Sequence, residues 1–123
     1  MKLRIKGNSI RLRLLRSEVE RFSSDGEISE EARFGANGLT YSLIMSDAVD
    51  TISAKFENGK ISVLIPKAAA QHWVSSETVG LENEQALGEG DKLTILIEKD
   101  FECIDRPDDP DRADAYPNPN PLC

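Results

Sequence analysis

Residues 2–14 read KLRIKGNSIRLRL. Lys2, Arg4 and Lys6 alternate with apolar residues before Gly7-Asn8, and Arg11 and Arg13 alternate with Ile10, Leu12 and Leu14 after it. Cations repeating at a spacing of two are the most concentrated chemistry in the chain. On one face of a hairpin they stand about 5 Å apart across the strands and repel one another, so something must neutralise them. Phosphate backbone could do so, as could an acidic protein or another anionic ligand. The first expectation is internal: Glu27, Glu30 and Glu31, with Arg33, belong to a following strand placed to lie alongside and pair with the hairpin.

Other candidate groups are weaker. His72 is the one histidine, and no Ser or Cys stands at a catalytic spacing from it, so a surface or half-buried role is expected. His72, Cys103, Cys123 and a tail aspartate are a candidate tetrahedral metal set, and the two cysteines are a candidate disulfide. No C-x-x-C or H-x-x-x-H pair supports either arrangement, and two independent thiols are expected. The run DRPDDPDRAD resembles a calcium loop only in its carboxylates, since it contains prolines and lacks the glycine such a loop turns on. No P-loop, dinucleotide fingerprint, nucleophile elbow or zinc motif occurs. No catalytic residue, metal or cofactor is assigned, and a non-enzymatic role is expected.

The charge is unevenly spread. The chain has 123 residues and a formal net charge of -7, yet residues 1–16 hold six bases and no acid. Residues 17–47 hold two bases against seven acids, residues 48–100 five against nine, and residues 101–123 two against six. So acidic a chain is no general nucleic-acid coat, because its mean field repels phosphate. A local basic face still acts at short range, since salt screens distant acids over about 8 to 10 Å. No run approaches the roughly 20 apolar residues of a membrane span. Arg4, Lys6 and Arg11 interrupt any signal-peptide core, and the expected compartment is the cytoplasm.

The elements that must position these residues follow from periodicity. The alternation on either side of Gly7-Asn8 predicts a hairpin with one apolar and one basic face. Ser17 is a candidate N-cap with Glu20 at the capping-box position, and Asp25-Gly26 ends a short helix. Strands are expected at 27–34 and 39–45. The same order then returns as a hairpin at 51–57 and 60–65 about Asn58-Gly59, a helix after Pro66, and strands at 78–84 and 92–98.

Ile10, Leu12, Leu14 and Phe22 align with Ile61, Val63, Ile65 and Trp73 at an offset of 51. Phe34-Gly35 aligns with Leu87-Gly88, and Leu39-Thr40-Tyr41 with Leu93-Thr94-Ile95, as the offset grows to 53 and 54. An internal duplication of a β-β-α-β-β unit is therefore expected. A half of about 50 residues is too small to close its own core, so two halves must bury each other's apolar faces. The predicted fold is α+β and mostly antiparallel: a pseudo-twofold barrel or sandwich over residues 1–104, with repeats 2–45 and 51–98 and two short helices plugging its ends. Residues 105–123 read as an extended, acidic, proline-rich tail, with Phe101, Tyr116 and Leu122 as candidate anchors.

GNSIRLRLLRSEVERF and NGKISVLIPKAAAQHW, with ALGEGDKLTILIE, resemble the MazE/AbrB swapped-hairpin regulators. The chain also resembles small uncharacterised bacterial proteins, a likeness that brings no activity. The swapped-hairpin resemblance implies hairpins interleaved across a twofold, with both halves supplied here by one chain, and DNA contacts from bases near the N-terminal hairpin. In the second hairpin Lys55 and Lys60 face Glu57, so the basic face belongs to the first repeat alone. The function expected is a binding or regulatory module that engages a protein or anionic ligand through Lys2, Arg4, Lys6, Arg11 and Arg13, or through the acidic tail. A DNA-binding or antitoxin-like regulator is the runner-up, and a small enzyme or metal protein using His72 and the cysteines comes last. No membrane partner is expected, and the chain is a monomer or homodimer.

Overall fold

The computed structural model describes residues 1–101 and residue 116. The strands are β1 (Lys2–Lys6), β2 (Ser9–Leu14), β3 (Glu27–Phe34), β4 (Asn37–Ser46), β5 (Ser53–Glu57), β6 (Lys60–Pro66), β7 (Gly80–Gly88) and β8 (Asp91–Lys99). Helix α1 (Arg16–Asp25) lies between β2 and β3, and α2 (Lys67–Ser75) between β6 and β7. No described helix is long and apolar enough to cross a membrane.

The protein is α+β, with two mostly antiparallel four-stranded sheets ordered β1-β2-β8-β7 and β3-β4-β6-β5. Each sheet takes one hairpin from each repeat, and the two hairpins join through a central parallel pair, β2 with β8 or β4 with β6. The duplication is visible in the register. Ile10 pairs with Ile95 and Tyr41 with Ile61; adding 51 to 10 gives 61, and adding 54 to 41 gives 95. The backbone bonds Thr94 N–H to Asn8 O and Thr40 N–H to Gly59 O, both 3.0 Å, obey the same offsets.

Alternation turns Ile10, Leu12 and Leu14 inward from β2, with Val63 and Ile65 from β6 and Ile95 and Ile97 from β8 in the same core. Both β2 and β6 run away from their hairpin turns into a helix, so α1 and α2 lie together at one end. The expectation of a helix at each end is thereby corrected: parallel pairing of β2 with β8 and of β4 with β6 brings all four hairpin turns to the other end. Phe22 and Trp73, equivalent residues of the two repeats, meet edge to face at 6.2 Å, and both are fully buried. The Trp73 indole N–H donates to Val79 O at 3.1 Å, so the ring also fixes the approach to β7.

Local chemistry explains the boundaries. Asn58 and Gly59 both have positive φ, 50° and 73°, as a two-residue hairpin turn requires. Gly26 ends α1 in the left-handed region with its N–H on Phe22 O at 2.8 Å. Helix α1 starts two residues earlier than the Ser17 and Glu20 reading placed it. Leu15 is the N-cap, and Glu18 accepts the Leu15 N–H at 2.8 Å. Leu15 has no polar side chain to complete a reciprocal capping box, so only the glutamate half operates.

Side chains, rather than a backbone ladder, join the sheet edges at two seams, and the sheets do not close into a barrel. At the β5–β7 seam the Ala54 N–H donates to Gln85 Oε1 at 2.6 Å, and Gln85 Nε2 donates to Ala54 O at 3.1 Å. Asn83 Nδ2 donates to Ile52 O at 2.7 Å. At the β1–β3 seam the α-ammonium of Met1 takes these contacts, as described below.

Candidate functional site

The hairpin β1–β2 places Lys2 opposite Arg13 and Arg4 opposite Arg11, with Lys6 opposite Ser9. All five bases stand on the outer face, because Leu3, Ile10, Leu12 and Leu14 take the inner one. The sequence reading of one basic face is correct, and the counter-charges of Lys2, Arg11 and Arg13 are different from those expected. Strand β3, carrying Glu27, Glu30 and Glu31, belongs to the other sheet and meets this hairpin across a seam, where Glu30 contacts the Met1 ammonium rather than those three bases. The neighbour is β8, which sets Glu98 opposite Arg13.

One Glu98 oxygen lies 3.2 Å from Arg11 Nε and 3.3 Å from Arg13 Nε. Asp100, just past β8, lies 3.0 Å from Lys2 Nζ. Glu98 thus holds two guanidiniums side by side that would otherwise repel across one strand position. These groups are half-buried, so their charges are less screened than those of a fully exposed pair. Arg4 and Lys6 extend the array on the exposed outer strand, and Lys2 is 73% exposed. Further along the same sheet face, on β7, Glu82 and Glu84 are exposed, and Lys92 lies 3.3 Å from Glu84. The face is basic over two strands and acidic or mixed over the next two.

Beneath the hairpin is a buried polar cluster that the sequence reading missed. The Met1 α-ammonium is fully buried and contacts Glu18 and, at 3.0 Å, Glu30. The Tyr41 hydroxyl donates to Met1 O at 3.0 Å. Burial pushes the Glu18 carboxyl upward, but the hydrogen bond from the ammonium, the Leu15 N–H and the ammonium's charge together hold it below its ordinary range. Burial, and then the charges of Glu30 and Glu18, raise the Tyr41 phenol, which favours its protonated, donating form. A signal for this cluster was available: Glu30 shares the inward parity of Ile28 on β3, opposite Tyr41 on β4.

His72 is exposed on α2. Among the described residues no three His, Cys, Asp or Glu side chains gather to hold a metal. Cys103, Cys123, Leu122 and the acidic tail lie outside the described residues. Of the expected tail anchors, Phe101 is half exposed and Tyr116 is 96% exposed, so neither is buried against the domain.

A family model matches residues 1–120, nearly the whole chain. The chain belongs to the DUF7009 family. That family is described as one of unknown function, so membership supplies no activity. No curated protein matches the sequence.

Proposed function

We propose that this DUF7009 protein is a non-enzymatic binding module that recognises an acidic, extended segment of a partner protein through the outer face of β1–β2. The observation that carries the reading is the sharing of Glu98 by Arg11 and Arg13 at 3.2 and 3.3 Å, which orients two guanidiniums beside Lys2, Arg4 and Lys6. Each guanidinium has five N–H donors, and carboxylates match that fork. The basic stripe is two strands wide, about 5 Å between strands. A single extended peptide fits it, whereas a duplex, whose two grooves are about 12 and 6 Å wide, is broader than two strands and would also overlie Glu82 and Glu84.

The test is anisotropy of a labelled oligoglutamate peptide, run beside a mixed-sequence DNA duplex across a salt series. The peptide is expected to bind at low salt, and Arg11→Gln combined with Arg13→Gln to abolish binding while the melting temperature stays within a few degrees. Absence of peptide binding at low salt sinks the reading.

A DNA-binding regulator is the second reading, favoured by one observation: each sheet interleaves a hairpin from each repeat. That arrangement matches what the MazE/AbrB resemblance implies, and in that family bases near the N-terminal hairpin meet DNA. It requires the duplex to bind more tightly than the peptide, with affinity falling steeply as salt rises. A bacterial, cytoplasmic setting accords with the same resemblance.

A further inference from the structure

At the end opposite the helices the two sheets leave an apolar mouth. Met1 with Glu30, and Ile52 with Asn83, mark where strands meet across the seams. Four residues along each strand come Ile5 with Phe34 and Phe56 with Leu87. These four are 57%, 71%, 67% and 50% exposed; alternation turns Ile5, Phe34 and Phe56 toward the core side, and Leu87 sits at the bulge between Ala86 and Gly88. The offsets of 51 and 53 convert Ile5 into Phe56 and Phe34 into Leu87, so the pseudo-twofold runs through the mouth and repeats the exposure on both sides. Large apolar side chains clustered about one opening, and repeated by symmetry, mark an interaction surface.

The charges around the mouth break that symmetry. Lys6 becomes Glu57 under the same offset, and Arg33 becomes Ala86. On the first repeat's side the tips 5–10 and 31–39 carry Lys6 and Arg33 against Glu31, which lies 3.8 Å from Arg33, a charge of +1. The equivalent tips 56–61 and 84–93 carry Glu57, Glu84, Glu89 and Asp91 against Lys60 and Lys92, a charge of -2. A second copy, turned over about an axis perpendicular to the pseudo-twofold, sets each basic side on the other's acidic side while the apolar residues meet between them.

We infer that the mouth is a homodimerisation surface, occupied by the mouth of a second copy of this chain. The contact is isologous, so each favourable charge pairing occurs twice. It has an apolar centre and a charged rim, the usual anatomy of a protein interface. Four apolar side chains and their charged rim are fewer than the roughly 20 to 30 residues a side of a standard interface, so the dimer is weak and concentration-dependent. This inference does not depend on what the β1–β2 face binds.

The experiment is sedimentation equilibrium of the full chain from low to high micromolar concentration. A reversible monomer–dimer equilibrium is expected, and Phe34→Ser with Phe56→Ser abolishes it; both residues are exposed, so the fold survives, as a thermal melt checks. Glu57→Lys with Asp91→Lys makes the whole rim positive, and Lys6→Glu with Arg33→Glu makes it negative. Each charge variant alone is expected to be monomeric, and an equimolar mixture to recover the dimer. A wild-type monomer throughout overturns the inference, as does a dimer indifferent to these changes. Stoichiometric uptake of an apolar dye by a wild-type monomer also overturns it, and shows an apolar ligand to be the occupant.

Discussion

The two seams occupy equivalent places and are held by opposite chemistries. At β5–β7, Gln85 clamps both backbone groups of Ala54, and Asn83 donates to Ile52 O. At β1–β3, the equivalents of Asn83 and Gln85 are Glu30 and Ala32, and the equivalents of Ile52 and Ala54 are Met1 and Leu3. A charged cluster of the Met1 ammonium, Glu18 and Glu30 replaces the neutral amides there. Neutral amides bridge a sheet edge without a protonation state to lose. The ionic seam ties the edge to helix α1 through Glu18, and it acquires a pH dependence that its counterpart lacks. Leu3 also has no amide clamp like that of Ala54, so this seam rests on the ammonium and its two carboxylates.

Breaking the ionic seam is expected to have the largest effect. Glu18→Gln removes the carboxylate from a buried ammonium and from the Leu15 N–H, and should cost about 3 kcal/mol in denaturant melts, near the lower range for broken buried pairs. Gln85→Leu leaves two half-buried backbone groups of Ala54 unpaired and should cost about 2 kcal/mol. A loss larger than that of Glu18→Gln would reverse the ranking of the seams. Tyr41→Phe removes one hydrogen bond to Met1 O and should cost about 1 kcal/mol. The smallest effect is a gain: Ala32→Gln copies the amide clamp onto Leu3 and should add a few tenths to about 1 kcal/mol.

The pH profile separates the seams further. Glu18 has a depressed carboxyl, so its contribution is fully present above the ordinary value of 4.5 and is lost as pH falls through the lower folded value. Tyr41 has a raised phenol, so its contribution is present below the ordinary value of 10.0 and fades as pH rises through the higher folded value. Stability measured across acid pH should decline less steeply in Glu18→Gln than in the wild type, and Gln85→Leu should leave that acid slope unchanged. Equal slopes in Glu18→Gln and the wild type would remove the ionic seam as its source.

Much of this was legible in the residues because it is local. The alternation of KLRIK and SIRLRL places the bases on one face whatever the strands pair with. Asn58-Gly59 and Gly26 carry their turn geometry in their own backbone preferences. The start of α1 reads two residues late in the sequence because Ser17 is a good N-cap type, while Leu15, with no capping atom, holds the position through its backbone carbonyl and Glu18. Glu98 was not recognisable as the counter-charge because its pairing with Arg13 depends on a contact between residues 85 positions apart. Glu30, assigned to the basic hairpin by its charge, belongs to the buried ammonium by its parity.

The sequence by itself determined two copies of one unit, the faces of their strands, and the segregation of charge, since periodicity and turn chemistry act within a few residues. Only the tertiary structure decided that both helices share one end, that β2 pairs with β8 and β4 with β6, and that Glu98 steadies Arg11 and Arg13. The physical reason is that a strand's apolar face suits any complementary partner. The choice among partners is made by the assembled core, where burying both half-units at once favours the interleaved arrangement.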